Sequence, residues 1–385
     1  MRDVSIVGVG QTKVGEHWDK SIRQLATEAI HAALRDAEVD RVDSLYVGNM
    51  LSGELTGQQH LGALIADHAG LKGVEAIKVE AACGSGGAAL RVGYAAVASG
   101  LSELALVVGV EKMTDRPGPE VTQGLASAAD ADFEAEMGLS FVSINALLMR
   151  RYMHEYGLLH EAFAPFVVNA HKNACHNPYA MFRFPVSAEE FARAKMVADP
   201  VNLLDSSPVC DGAAALVLRA SESVPRRGRP AARIRACTVA TDAIAVHDRP
   251  DPLAFDAVAL SANRAYEQAR VRPADLSFFE LHDAFSIVSV LSLEACGFAA
   301  RGRGVELGAR GDIGLDGRLP LSTMGGLKAR GHPVGATGAY QLVEVVLQLR
   351  GQAGKNQVKD PRLGMAQSIG GSGATVVTTI LEAEH

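Results

Sequence analysis

The stretch VEAACGSGGAALRVG, residues 79–93, places Cys83 between a short apolar run and a series of residues with almost no side chains. The pattern predicts a helix from Gly84 to about Ser99. Unpaired N–H groups at a helix start favour an anion. We therefore expect the Cys83 thiol to ionise more easily than a free thiol and to act as a nucleophile. A buried structural cysteine is the alternative interpretation.

Strand and helix patterns alternate on both sides of this stretch. The runs at 4–10, 44–50, 104–110 and 212–220 are typical of buried strands, and 21–39 has the apolar spacing of an amphipathic helix. This alternation predicts an α/β fold with layers of helix and sheet.

The C-terminal part of the chain repeats the pattern of the N-terminal part. Residues 36–50 can be laid over residues 268–282 at a constant offset. The small residues that follow Cys83 likewise match those of GATGAY, which ends at Tyr340. We therefore expect two duplicated α/β halves.

Composition changes along the chain predict how the halves are organised. Residues 1–112 plus 207–223 are expected to form the N-terminal half, and 224–385 the C-terminal half. Residues 113–206 are less regular and predict an inserted loop domain. The basic stretch VPRRGRP, residues 224–230, is expected to be a linker.

Composition also excludes several classes of function. The content of 48% hydrophobic and 21% charged residues is that of a globular protein, and the net charge of -7 gives no support for a nucleic-acid or anionic membrane partner. We expect a cytoplasmic protein, because the N-terminus has no signal-peptide pattern. Five scattered cysteines without a CxxC pair predict free thiols.

Three further motifs carry chemistry. GGLKARGHPVGATGAYQ, residues 325–341, places His332 in a glycine- and proline-bounded turn, where it is a candidate base for Cys83. ELHDAF, residues 280–285, places His282 at a strand end, where it can hold a water or donate to a substrate oxygen. The glycine N–H groups of QSIGGSGATVV, residues 367–377, are candidates for an oxyanion hole.

Five motifs, taken in order and at their separations, resemble the thiolase family of acyl-CoA acyltransferases: AACGSGG, CDGAAALVL, ELHDAF, GGLKARGHPVGATG and SIGGSGA. The HDAF form is similar to the sterol-carrier-protein-type and archaeal-type branches. The resemblance covers nearly the whole chain. It implies a five-layered αβαβα fold of two similar halves, with a loop domain inserted in the first half that covers coenzyme A.

The resemblance also implies roles for individual residues. Cys83 is expected to accept the acyl group, and His332 to activate Cys83 and donate to the thioester oxygen of the second substrate. His282 is expected to share that oxyanion hole, and the N–H groups of Cys83 and Gly370 to form a second one. Three further positions match coenzyme A sites, with packing as the alternative for the first two: Met137, Ser207 and Gly331.

One departure from the family pattern concerns the second catalytic cysteine. Common thiolases carry it at the position of Ser368, and sterol-carrier-protein-type enzymes at the position of Ala284. Serine is a far weaker base than a thiolate, so the sequence supports acyl transfer to Cys83 but lacks the family's usual base for Claisen condensation. Cys296 is expected to be a core residue rather than a substitute.

The resulting expectation is an acyl-CoA C-acyltransferase that catalyses reversible thiolysis and condensation of acyl-CoA thioesters. Coenzyme A and acyl-CoA are expected as substrates, with no metal and no permanently bound cofactor. The resemblance implies a homodimer or homotetramer. One alternative is a thiolase relative without condensation, which performs thioester hydrolysis or retro-aldol cleavage with a small zinc-ribbon or OB-fold partner that binds acyl-CoA. The other is a non-enzymatic acyl-CoA or lipid carrier.

Overall fold

The computed structural model describes residues 2–224 and 230–384. Most of the predicted linker, including its three arginines, lies outside the described residues. Within these two ranges, every helix is too short or too polar to cross a lipid bilayer.

The secondary structure alternates as the sequence predicts. The strands are β1 (Val4–Gln11), β2 (Ser44–Gly48), β3 (Glu75–Val79), β4 (Leu104–Glu111), β5 (Met196–Ala198), β6 (Val201–Asn202), β7 (Gly212–Ala220), β8 (Ala232–Thr241), β9 (Phe278–Glu280), β10 (Leu363–Gly370) and β11 (Thr375–Ala383). The helices are α1 (Ile22–Asp36), α2 (Ser52–Thr56), α3 (Leu61–His68), α4 (Ser85–Ser99), α5 (Gly118–Ala126), α6 (Phe141–Tyr156), α7 (Ala164–Ala174), α8 (Ala188–Arg193), α9 (Asp256–Ala269), α10 (Ser286–Ala295), α11 (Gly304–Ala309) and α12 (Thr337–Leu349).

Nine strands are hydrogen-bonded in the order β3-β2-β4-β7-β1-β8-β11-β10-β9. In the N-terminal half, β2 is parallel to β3 and β4, whereas β7 is antiparallel to β4 and β1. In the C-terminal half, β9 is parallel to β10 and to an isolated bridge at Leu321, whereas β11 is antiparallel to β10 and β8. The two halves therefore repeat one topology, as the internal match predicts.

Helices α4 and α12 form the central layer, because α4 contacts strands of both halves and packs against α12. Their small residues are required by this close approach. A Cβ at Gly86 would lie 2.8 Å from the Ala339 nitrogen, and one at Gly338 would lie 2.4 Å from the Gly87 nitrogen. Larger side chains would therefore force the two helix starts apart.

The outer layers complete the five-layered αβαβα arrangement. Helix α1 packs on β1 and β7, and α9 packs on β8 and β11. Both helices place their buried residues on the side that faces the sheet. Helices α6 and α7 contact α10, so part of the 113–206 segment packs over the C-terminal half. The exact domain boundaries stay predictions.

Candidate active site

Cys83, His282 and His332 line one cavity of about 190 Å³. Cys83 lies just before α4, His282 follows β9, and His332 lies in the loop before α12. The duplicated topology brings these three loops to the same end of the central layer. The other lining residues are mostly apolar or uncharged: Met113, Thr122, Leu125, Ser140, Phe141, Val142, Asn145, Ser206, Ser207, Pro208, Val209, Phe255, Ala284, Phe285, Val288, Val334, Ile369, Gly371, Ser372 and Gly373.

The Cys83 side chain is buried at the edge of this cavity, with 8% of the residue exposed. Burial, and after it the negative charge of Glu111, raise the pKa of its thiol to about 12. The backbone N–H groups of Cys83 and Gly371 oppose this shift but do not reverse it. The expectation of an easily ionised thiol is therefore wrong, because desolvation outweighs the helix start. Cys83 needs a base at the moment of attack.

His332 is held by two hydrogen bonds, one from its ring and one from its backbone. Its Nδ1 lies 2.6 Å from the Thr337 hydroxyl, and its backbone N–H donates to the Cys210 sulfur at 3.1 Å. The Thr337 hydroxyl also has an acceptor in the Pro333 carbonyl at 3.4 Å, so we assign the ring proton to Nδ1. This tautomer leaves the lone pair of Nε2 available as a base.

His282 is the second imidazole of the cavity, and its ring centre lies 5.0 Å from that of His332 in an edge-to-face arrangement. Burial lowers the pKa of His282 to about 3 and lowers the pKa of His332 well below its usual range. Both rings are therefore neutral at pH 7. His332 offers the Nε2 lone pair for proton transfer, because its N–H is donated to Thr337. Neutral His282 has one N–H and one lone pair, which suits donation to an oxyanion or proton transfer.

Ser368 is separate from this group. Its hydroxyl donates to the Gln341 side-chain oxygen at 3.0 Å, between the starts of α4 and α12. Within the described ranges, Ser368 does not line the cavity, whereas its neighbour Ile369 does. The alternation of side chains along β10 turns Ser368 into the central layer. The structure therefore does not bring this predicted site residue to Cys83.

The glycine loop after β10 also differs in detail from the expectation. A Cβ at Gly370 would lie 2.3 Å from the Ala81 carbonyl oxygen, so Gly370 packs against the loop that carries Cys83. However, Gly371 is the residue that lines the cavity and whose N–H acts on the Cys83 sulfur. Sequence reasoning missed Gly371, although the run of glycines pointed to this loop.

The three predicted coenzyme A residues are not brought together. Ser207 lines the cavity, and its N–H donates to the Ala284 carbonyl at 2.9 Å. Met137 is 71% exposed and lies outside the lining, as does Gly331. Gly331 has a φ of +111°, and a Cβ there would lie 2.6 Å from Val14. Gly331 therefore positions the His332 turn.

Ala284, Cys296 and Thr337 differ in how they contribute to the site. Ala284 lines the cavity with its methyl group and brings no proton acceptor. Cys296 is buried in the core beside Gln367, as expected. Thr337, which sets the His332 tautomer, was missed by sequence reasoning, although its place five residues after the histidine at a helix start was a usable signal.

Replacing Ser368 by alanine is expected to leave turnover within about twofold of wild type, because the hydroxyl lies outside the cavity. The lost hydrogen bond to Gln341 should cost about 1 kcal/mol of stability. Steady-state kinetics with an acyl-CoA and a thermal melt measure both effects. A tenfold or larger loss of turnover would contradict the placement of Ser368.

Comparisons with known proteins identify the family of the chain. The family model of the thiolase N-terminal domain matches residues 4–222, and that of the thiolase C-terminal domain-like family matches residues 238–383. An acetyl-CoA acetyltransferase of Methanothermobacter thermautotrophicus is 45% identical over 99% of both chains. The benzoylsuccinyl-CoA thiolase subunit BbsB of Thauera aromatica is 35% identical, over 96% of this chain and 95% of that one.

A solved structure described as the Ltp2-ChsH2(DUF35) aldolase superposes with a TM-score of 0.87 at 25% identity, covering 99% of this chain and 98% of that one. The two chains therefore share one fold over nearly their whole lengths. Together with the two family models, which cover both halves, these relatives show that the chain belongs to the thiolase family.

Proposed function

We propose that this protein is an acyl-CoA C-acyltransferase that works through an acyl-Cys83 intermediate. The observation that carries the proposal is the meeting of one thiol and two neutral imidazoles in a single, largely apolar cavity. The acetyl-CoA acetyltransferase name of the relative at 45% identity supports acetyl-CoA as a substrate.

In the first half-reaction, His332 Nε2 takes the thiol proton while the sulfur attacks the thioester carbonyl. The bond between the carbonyl carbon and the coenzyme A sulfur breaks, and the leaving thiolate takes the proton back from His332. The N–H groups of Cys83 and Gly371 are the candidate donors to the oxyanion, because both already act on the sulfur.

In the second half-reaction, the α-carbon of another acyl-CoA loses a proton and attacks the acyl carbon on Cys83. The Cys83 sulfur leaves and receives that proton, so the thiol is restored. With Ser368 turned into the central layer, the imidazoles of His282 and His332 are the cavity groups able to carry this proton. Thiolysis runs the same steps in reverse.

The cavity also suggests the acyl groups that fit. Among the described residues, none that line it is an aspartate, glutamate, lysine or arginine. A carboxylate on the acyl chain would therefore be buried without a counter-charge, which costs several kcal/mol. We propose that the substrates carry uncharged acyl groups.

Butyryl-CoA and succinyl-CoA test this proposal. Both acyl groups have four carbons, but butyryl ends in a methyl group and succinyl ends in a carboxylate. We expect Cys83 to be acylated at least about 100-fold more slowly by succinyl-CoA, since a tenfold change corresponds to 1.4 kcal/mol. Release of free coenzyme A measures the rate, with acetyl-CoA as the positive control. Rates within threefold of each other would contradict an uncharged acyl site.

Thiolysis of acetoacetyl-CoA by free coenzyme A tests the overall activity. Loss of acetoacetyl-CoA and formation of two acetyl-CoA per turnover would support the acyltransferase. Acylation of Cys83 without formation of acetyl-CoA would favour the alternative protein that lacks condensation activity. In that case, co-purification with a small acyl-CoA-binding subunit becomes the next test, because the aldolase structure includes a DUF35 component. Homo-oligomerisation and a cytoplasmic location stay predictions.

A further inference from the structure

Glu111 is a fully buried carboxylate that the steps above do not use. It lies at the end of β4 and accepts four hydrogen bonds. Oε1 accepts from the Asn49 side chain at 2.8 Å and from the Leu51 N–H at 3.1 Å. Oε2 accepts from the N–H groups of Met50 and Gly335, both at 3.0 Å. One carboxylate therefore joins loop 49–51 of the N-terminal half to the His332 loop of the C-terminal half.

Both of these loops flank the nucleophile. Met50, Leu51 and Val334 belong to the same buried apolar cluster as Cys83. Gly335 is three residues after His332, and a Cβ there would lie 2.6 Å from both Glu111 Oε2 and the Met50 nitrogen. These short distances leave no free space between loop 49–51 and the His332 loop. The length of the Glu111 side chain therefore sets the distance between the two loops.

The carboxylate also acts electrostatically on the thiol. After burial, the charge of Glu111 is the largest cause that raises the pKa of Cys83. Burial raises the pKa of Glu111 itself to about 7, opposed by its N–H donors and by Lys78. The other ionisable groups that face Cys83 are Glu80 and the two cavity histidines.

We propose that Glu111 is a positioning residue for the acyl-transfer reaction. Its carboxylate fixes loop 49–51, which packs in the same apolar cluster as Cys83, relative to the His332 loop of the other half. Its charge keeps Cys83 in the thiol form until His332 takes the proton. The effect on turnover rests on the proposed function, whereas the effect on thiol reactivity does not.

The test compares Glu111→Gln with wild type. The amide has the size of the carboxylate, but its NH₂ group faces N–H donors and the charge is gone. We expect kcat for thiolysis to fall by about 10- to 100-fold, while KM stays within about threefold. Alkylation of Cys83 by iodoacetamide at pH 8 should become about 3- to 10-fold faster, with its pH profile shifted to lower pH.

Glu134→Gln is the matched control. Glu134 is also buried and accepts from the backbone N–H groups of Val246 and Asp130, but it does not contribute to the Cys83 shift. The Glu134→Gln variant should have a lower melting temperature, but the pH profile of Cys83 alkylation should not shift. If Glu111→Gln behaves in the same way, with slower turnover but an unchanged profile, Glu111 is only structural and the proposal is overturned.

Glu111→Asp is a second variant that tests the positioning role if Glu111→Gln does not fold. The shorter carboxylate keeps the charge but cannot reach all four donors, so kcat should fall while the alkylation profile stays near that of wild type. Wild-type kcat in this variant would overturn the positioning role. If the wild-type enzyme itself shows no acyl transfer, the proposed function fails, and the alkylation profiles still decide whether Glu111 controls the thiol.

Discussion

Replacing Cys83 by alanine is expected to lower thiolysis and condensation by at least about 10⁴-fold, because the covalent route is lost. The cavity should persist, since Cys83 contributes one small side chain to an apolar cluster. Loss of acetoacetyl-CoA in a steady-state assay measures the effect. An unchanged melting temperature in the variant serves as the control for folding.

The pH dependence of the wild-type thiol strengthens this test. Because burial raises the pKa of Cys83 to about 12, its alkylation should keep accelerating as the pH rises above 9. If the thiol were already ionised near neutral pH in the free enzyme, its alkylation rate would instead reach a plateau there. Alanine at residue 83 with more than 10% of wild-type turnover would contradict the role of Cys83 as nucleophile.

Replacing His332 by asparagine is expected to lower kcat by about 10³-fold, because a thiol with so high a pKa loses its base. Substrate binding should change little, since the cavity is lined mainly by other residues. Initial rates over a range of acyl-CoA concentrations separate kcat from KM.

Thr337 supplies the matched control for His332. Thr337→Ser keeps the hydroxyl that accepts from Nδ1 and should retain most activity, whereas Thr337→Val removes it and should lower kcat by about tenfold. If His332→Asn kept turnover within tenfold of wild type, another residue would have to be the base.

Much of the fold was predictable from the sequence because local patterns and the global arrangement agree. The strand at 212–220 and the helix after Cys83 have nearly the predicted bounds. The internal match at 36–50 and 268–282 corresponds to the equivalent strands β2 and β9. The small residues after Cys83 predicted close packing, and their reason is the approach of α4 to α12.

The details of the site were less predictable because they depend on packing. A helix start suggested a reactive thiol, but the burial of Cys83 cannot be derived from its neighbours in sequence. The orientation of Ser368 depends on the exact register of β10 with its neighbours, and a shift of one residue would reverse it. Glu111 and Gly335 are 224 residues apart, so their hydrogen bond has no local signal.

The intact mass of the wild-type protein and of Cys83→Ala after incubation with acetyl-CoA tests directly whether an acyl-Cys83 intermediate forms. We expect one added acetyl group on the wild type, its absence from the variant, and its removal from the wild type when free coenzyme A is added. An unmodified wild-type protein, or an acetyl group that persists in Cys83→Ala, would contradict an acyl-Cys83 intermediate.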